Sequence, residues 1–264
     1  MVEGVRVAAG FFLAVIVLAP SSDVWALDAS KVVDLSHTYD ADTVYWPTDK
    51  EGFEFEELSK GVTPGGWYYT ANRFATAEHG GTHIDAPVHF AKGKKSVDEI
   101  DLSSLIGPLV VLDVTDAVQE NVDYRVTIAD VEAWEKRHGA IPDGAIVVMR
   151  SGWAKRWPDR AQVLGTAVAG DTENLHFPAF SKEAATFLME KRRVGAIGVD
   201  TPSIDYGPSK DFIVHQIVNG SDKAGLENIA NLEAVPDSGA TIIALPMKIG
   251  GGSGAPVRVI AVLP

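Results

Sequence analysis

The 264-residue chain contains no cysteine. That absence removes thiol nucleophiles, zinc–thiolate centres and disulfide staples together, so any metal must sit on imidazole and carboxylate. The chain also lacks positive charge: 23 Lys and Arg stand against 36 Asp and Glu, a formal net charge of −13. Nucleic acid needs a basic face, so it is excluded as a partner class. No Gly-x-Ser-x-Gly elbow occurs, which disfavours a serine nucleophile. The glycine run Gly250-Gly251-Gly252-Ser253-Gly254 is not followed by the Lys-Ser/Thr of a phosphate loop, and reads better as a tight loop beside a site. There is no internal period, low-complexity tract or dividing linker, and one domain is expected.

Nor does any apolar run reach the roughly 20 residues of a bilayer span. The longest, Val7–Ala19, is broken only by Gly10. Arg6 precedes it, Pro20, Ser21 and Ser22 follow it, and Val24-Trp25-Ala26 offers small side chains at a cleavage site. A charged start, an apolar middle and a small-residue exit are the order of a secretory signal. Residues 1–26 are therefore expected to be a leader, and 27–264 an exported domain, periplasmic or secreted, with no membrane contact after cleavage. Losing Glu3, Arg6 and Asp23 changes the charge from −13 to −12.

What is present reads as strands interrupted by a few helices. Lys31–Leu35, Leu109–Val114, Ala145–Met149, Val194–Val199, Ile242–Leu245 and Val257–Val262 are apolar, β-branched runs, several continuous enough to be covered on both faces. Tyr68–Ala77 has strand composition and runs into a histidine-rich loop. Thr127 and Ser181 cap helices reaching about Arg137 and Arg192, and a third helix is expected to start near Pro208 and Ser209. The pattern suggests a layered α/β domain around a mixed sheet.

Chemistry concentrates in Glu78-His79-Gly80-Gly81-Thr82-His83-Ile84-Asp85-Ala86-Pro87-Val88-His89-Phe90. The paired glycines and Pro87 oppose a regular helix. A glycine turn followed by an extended piece places His83 and Asp85 on one side, because strand side chains repeat every second residue. The turn can bring His79 beside them. Two imidazoles and a carboxylate on one side of a bend form a ligand set for a catalytic divalent metal. His215 and Glu227 lie far along the chain, and spacing alone does not pair them with this bend. Trp46, Trp67 and Tyr69 are candidates to cover a flat aromatic substrate, against the alternative of ordinary packing. His37 and His176 read as structural, and Asp200 and Asp205, around Pro202, as organisers of a turn.

The segment His79–Phe90 resembles the signature of the cyclase-like metal hydrolases, a family that includes bacterial kynurenine formamidases and isatin hydrolases. Asp34-Leu35-Ser36, Tyr45-Trp46-Pro47, Gly198-Val199-Asp200-Thr201 and Gly250-Gly251 with Ser253-Gly254 fall where such proteins carry similar short motifs. The resemblance implies a swivelling β/β/α single domain around a mixed, strand-rich sheet, assembled as a homodimer or larger homo-oligomer. It implies metal ligation by His79, His83 and Asp85, completed by His215 and by Glu227 twelve residues beyond it, with Asp85 bridging. His89 matches the family's acid–base histidine, and Glu227 is the other candidate for proton transfer. The cofactor implied is Mn2+ or Zn2+, one or two ions.

The expected reaction is hydrolysis of the amide bond of a small aromatic substrate. A cyclic amide of the isatin type is favoured, with a linear N-formyl amide such as N-formyl-L-kynurenine as the alternative. An exported, non-catalytic metal- or ligand-binding protein is the alternative of another class. A bound metal lowers the pKa of water from about 15.7 to about 7, whereas a general base alone contributes about 10²–10⁴ in rate. The metal is therefore expected to dominate.

Overall fold

The computed structural model describes Met1 and residues 28–264. The expected leader, Met1 aside, lies outside the described residues. Twelve strands occur among them. The first six are β1 (Val32–Asp34), β2 (Glu54–Val62), β3 (Tyr68–Ala75), β4 (His83–Asp85), β5 (Ile106–Asp113) and β6 (Arg125–Val126). The others are β7 (Ile146–Arg150), β8 (Ala179–Phe180), β9 (Ala196–Val199), β10 (Ala224–Glu227), β11 (Thr241–Pro246) and β12 (Gly254–Val262). Six α-helices accompany them: α1 (Leu102–Leu105), α2 (Thr115–Glu120), α3 (Ile128–His138), α4 (Arg160–Leu164), α5 (Lys182–Lys191) and α6 (Ile213–Gly220).

Eight strands form one mixed sheet in the order β1-β12-β11-β5-β7-β9-β10-β4, and β4 pairs back onto β12, which closes it. Strands β5, β7, β9 and β10 run parallel; the other pairings are antiparallel. The apolar runs of β5, β7 and β9 are buried on both faces, as parallel strands require. Val110, Leu112, Val147, Met149, Ile197 and Val199 face Val131, Trp134, Ala184, Leu188, Val214 and Val218 of helices α3, α5 and α6. Leu109, Val111, Ile146 and Val148 face the inside of the closed sheet, with Ile84, Leu226, Ile242, Ala255, Val259 and Ala261. The expected layered α/β architecture is present.

Both predicted caps occur. Thr127 Oγ1 accepts from Asp130 N at 3.3 Å while Asp130 Oδ2 accepts from Thr127 N at 2.7 Å, and Ser181 Oγ accepts from Ala184 N at 3.1 Å. The third helix differs from expectation. It begins at Ile213, because Phe212 adopts a left-handed φ of 50° that breaks any helical path from Pro208. Strand β2 was not anticipated. Glu54–Val62 is polar and almost wholly exposed, and with β3 it forms a separate two-stranded hairpin.

The register of β4 positions the site. Flanked by β10 and β12, it sets His83 opposite Glu227 and Asp85 opposite both Gly225 and Gly254. Only glycine fits at 254: a Cβ there would lie 2.5 Å from His79 Cε1 and 2.6 Å from the Ile84 carbonyl oxygen.

Candidate metal centre

The bend is built by backbone constraints. Gly81 has a φ of +57°, and a Cβ on Gly80 would fall 2.1 Å from the Tyr45 ring. The Tyr39 hydroxyl lies 2.5 Å from the Gly80 carbonyl oxygen and 2.8 Å from that of Thr82, and Thr82 Oγ1 donates to the Asn228 carbonyl at 2.7 Å. Strand β4 then carries His83 and Asp85, and the short turn Pro87–His89 carries His89. Glu227 arrives on β10 and His215 at the start of α6.

Five of the expected side chains converge directly. His79 Nδ1 lies 2.7 Å from Asp85 Oδ1, and His83 Nε2 lies 3.4 Å from that same oxygen. His215 Nε2 is 3.1 Å from the other oxygen, Asp85 Oδ2. Glu227 spans the pair, with Oε2 3.3 Å from His83 Nε2 and Oε1 3.2 Å from His215 Nε2. His83, Asp85, His215 and Glu227 are buried; His79 and His89 are partly exposed. His89 stacks on His79 with centroids 3.9 Å apart and turns an edge to His215 at 5.9 Å. Its ring nitrogens make no hydrogen bond to any described residue.

Each converging imidazole is held from behind. His83 Nδ1 is 3.0 Å from the Gly81 carbonyl oxygen, and His79 Nε2 is 2.9 Å from Ser253 Oγ, which donates to Glu78 at 2.6 Å. His215 Nδ1 is 2.8 Å from Asp205 Oδ2. The loop Gly250–Gly254 thus does lie beside the site, as expected. Asp205 does more than organise a turn, and Asp200 buries its carboxylate under Ser151 and Trp153, accepting from their backbone N–H groups. His37 stacks on Trp157, and His176 pairs with Asp123 at the surface.

The electrostatics show what the cluster demands. Burial alone would raise the Asp85 pKa, yet hydrogen bonds from His215, His79 and His83 hold it well below the carboxylate range. Burial alone would lower His83, but Asp85 and Glu227 push it up to about 10. His215 is likewise pushed well above the imidazole range against burial, by Asp205, Asp85 and Glu227. Buried carboxylates here draw positive charge onto their neighbours. A divalent cation fits that demand and the nitrogen–oxygen donor set alike. Donor atoms of His79, His83 and Asp85, and of Asp85, His89 and His215, lie within 4.8 Å of one another, so either set could hold an ion.

The centre opens onto a cavity of about 260 Å³ whose aromatic walls are Trp46, Phe90 and Phe212, with Ser203 at its edge. The Trp46 and Phe212 rings are 5.9 Å apart, and Phe90 lies 5.6 Å from Phe212 and 4.5 Å from His215. Of the three aromatic residues expected here, only Trp46 is present. Trp67 and Tyr69 do not line the cavity: both are exposed on the β2–β3 hairpin, Trp67 in its turn and Tyr69 at the start of β3. Phe90 and Phe212 take their place. Both stand close in sequence to site histidines, Phe90 directly after His89 and Phe212 three residues before His215.

Comparison with known proteins gives the family. Residues 33–206 match the family described as putative cyclase. The chain belongs to this cyclase family. It is 35% identical over 207 residues to an isatin hydrolase of Roseibium aggregatum, covering 75% of this chain and 77% of that one. It is 28% identical over 235 residues to a kynurenine formamidase of Bacillus anthracis, covering 89% and 98%. Isatin hydrolase A from Labrenzia aggregata, solved with benzyl benzoate bound, superposes with a TM-score of 0.79 at 35% identity, covering 88% of this chain and 93% of that chain. Those structures share the mixed α/β fold. The family match ends before His215 and Glu227, which the sheet register and α6 bring to the cyclase signature.

Proposed function

We propose that this chain is a metal-dependent amidohydrolase that opens a small cyclic aromatic amide of the isatin type to its carboxylate. One observation carries the reading: a cluster of buried His83, Asp85, His215 and Glu227 with half-buried His79 opens directly onto an aromatic-walled cavity sized for one small ring system. The 35% identity to an isatin hydrolase supports it.

His79, His83, Asp85, His215 and Glu227 hold the metal in this reading, Mn2+ or Zn2+. Asp85 presents one oxygen to His79 and His83 and the other to His215, an arrangement that supports one or two ions. A cation held there would supply Lewis acidity, the chemistry that lowers the pKa of water from about 15.7 to about 7. Trp46, Phe90 and Phe212 hold the flat substrate and exclude bulk water. His89 moves the proton from the attacking water to the departing nitrogen as the C–N bond breaks. Two features favour it over Glu227. Glu227 has both oxygens engaged, Oε1 also accepting from Ile204 N at 2.9 Å, whereas His89 lines the cavity with its ring nitrogens free of described partners. Burial also pushes the His89 pKa down to about 4, so the ring is neutral near pH 7.

Hydrolysis of a linear N-formyl amide is the second reading, favoured by the kynurenine formamidase relatives that span nearly the whole chain. Export through the residue 1–26 leader and assembly into a homo-oligomer belong to the same proposal. The test is a panel: residues 27–264, stripped and reloaded with Mn2+ or Zn2+, assayed against isatin and N-formyl-L-kynurenine. Preferred turnover of isatin supports the first reading and preferred turnover of the formamide the second. Tight cation binding without turnover of any amide would leave a binding protein instead.

A further inference from the structure

Asp205 is almost fully buried, and no step above uses it. Its carboxylate grips the start of α6. Oδ1 accepts from Val214 N at 3.0 Å; Oδ2 accepts from His215 N at 3.0 Å and lies 2.8 Å from His215 Nδ1. Helix α6 starts from the left-handed Phe212, whose own side chain caps nothing, so Asp205 supplies the missing cap from a neighbouring loop. The same loop holds Glu227 from the other side, since Ile204 N donates to Glu227 Oε1. Two donors of the centre are therefore set by adjacent residues of one segment.

The three converging histidines differ in what stands behind them. His83 has a backbone carbonyl and His79 a serine hydroxyl, with Glu78 beyond it at 4.0 Å; His215 alone meets a carboxylate at direct hydrogen-bond distance. A carboxylate can only accept, so it fixes the proton on Nδ1 and leaves the Nε2 lone pair facing Asp85 and Glu227. We propose that Asp205 is a positioning residue for His215, and that the cation affinity of the Asp85–His215–Glu227 half of the centre depends on a carboxylate at this position. The proposal rests on the metal-centre reading above.

Asp205→Asn keeps the shape and changes the chemistry. An amide nitrogen in the place of Oδ2 faces Nδ1 and His215 N with a donor and pushes the histidine proton onto Nε2, whereas the flipped amide keeps an acceptor on Nδ1 but sets its donor against Val214 N. Isothermal titration of stripped protein with Mn2+, and the visible spectrum with Co2+, read the effect. D205N should bind the cation roughly 10–100-fold more weakly, the range seen when such outer partners are removed, with an altered Co2+ band. Affinity and band equal to the unsubstituted chain would overturn the proposal. H83A and H215A, titrated alongside, separate it from the metal reading: if neither weakens cation binding, the metal centre itself fails. Histidine-selective 15N NMR of the unsubstituted Zn2+-loaded chain tests the same idea without relying on any variant to fold. His215 should be coordinated through Nε2 with its proton on Nδ1, and the reverse tautomer would overturn the assignment.

Discussion

At the residue scale, the donors adjacent in sequence were legible and the distant ones were not. Glycine turns and strand alternation put His79, His83 and Asp85 on one side of a bend, and the structure does the same. His215 and Glu227 carry no local signal, because what pairs them with the bend is the β10–β4 register and a helix start. The aromatic wall was half legible: Trp46 reaches the cavity, whereas Trp67 and Tyr69 share its composition but lie on another element. Phe212→Ala should raise KM for the ring substrate by roughly tenfold with a smaller change in kcat, since one ring face is worth about 1–1.5 kcal/mol. An unchanged KM would remove the aromatic wall from substrate binding.

At the element scale, continuous apolar runs betrayed β5, β7, β9 and β12, and capping residues betrayed α3 and α5. The hairpin strand β2 escaped because Glu54-Phe55-Glu56-Glu57-Leu58 buries neither face and so shows no burial pattern to read. The segment after β1 is tied down by His37, whose N donates to Thr82 Oγ1 at 2.8 Å and whose ring stacks on Trp157 at 4.1 Å. Burial holds the His37 pKa down to about 4. The unfolded chain takes up this proton near pH 6.5 and the folded chain only near pH 4, so the contribution to stability is complete above about pH 6.5 and is lost as pH falls towards 4. In urea unfolding of metal-free protein, His37→Gln should lose less stability between pH 7 and pH 4, by roughly 1–3 kcal/mol. Parallel pH profiles would show that His37 titrates alike in both states.

At the scale of the whole molecule, a closed sheet carries the site on the strand that seals it, between β10 and β12. Outside that sheet, the β2–β3 hairpin exposes Phe55, Leu58, Val62, Trp67, Tyr68, Tyr69 and Phe74. A chain of charge −13 repels its own copies, so association needs an apolar surface of this kind. Sedimentation at micromolar concentration should give at least twice the chain mass, and replacing Trp67 and Tyr68 with serine should lower it; a monomer before substitution would contradict self-association.

The bend and its cation carry everything proposed about the chemistry, and two variants measured side by side for bound Mn2+ and amide turnover test them most directly. His83→Ala should lose cation and rate together. His89→Ala should keep the cation and lose about 10²–10⁴ in rate. A His83→Ala chain that retains its metal and full turnover would show that the hydrolytic centre lies elsewhere.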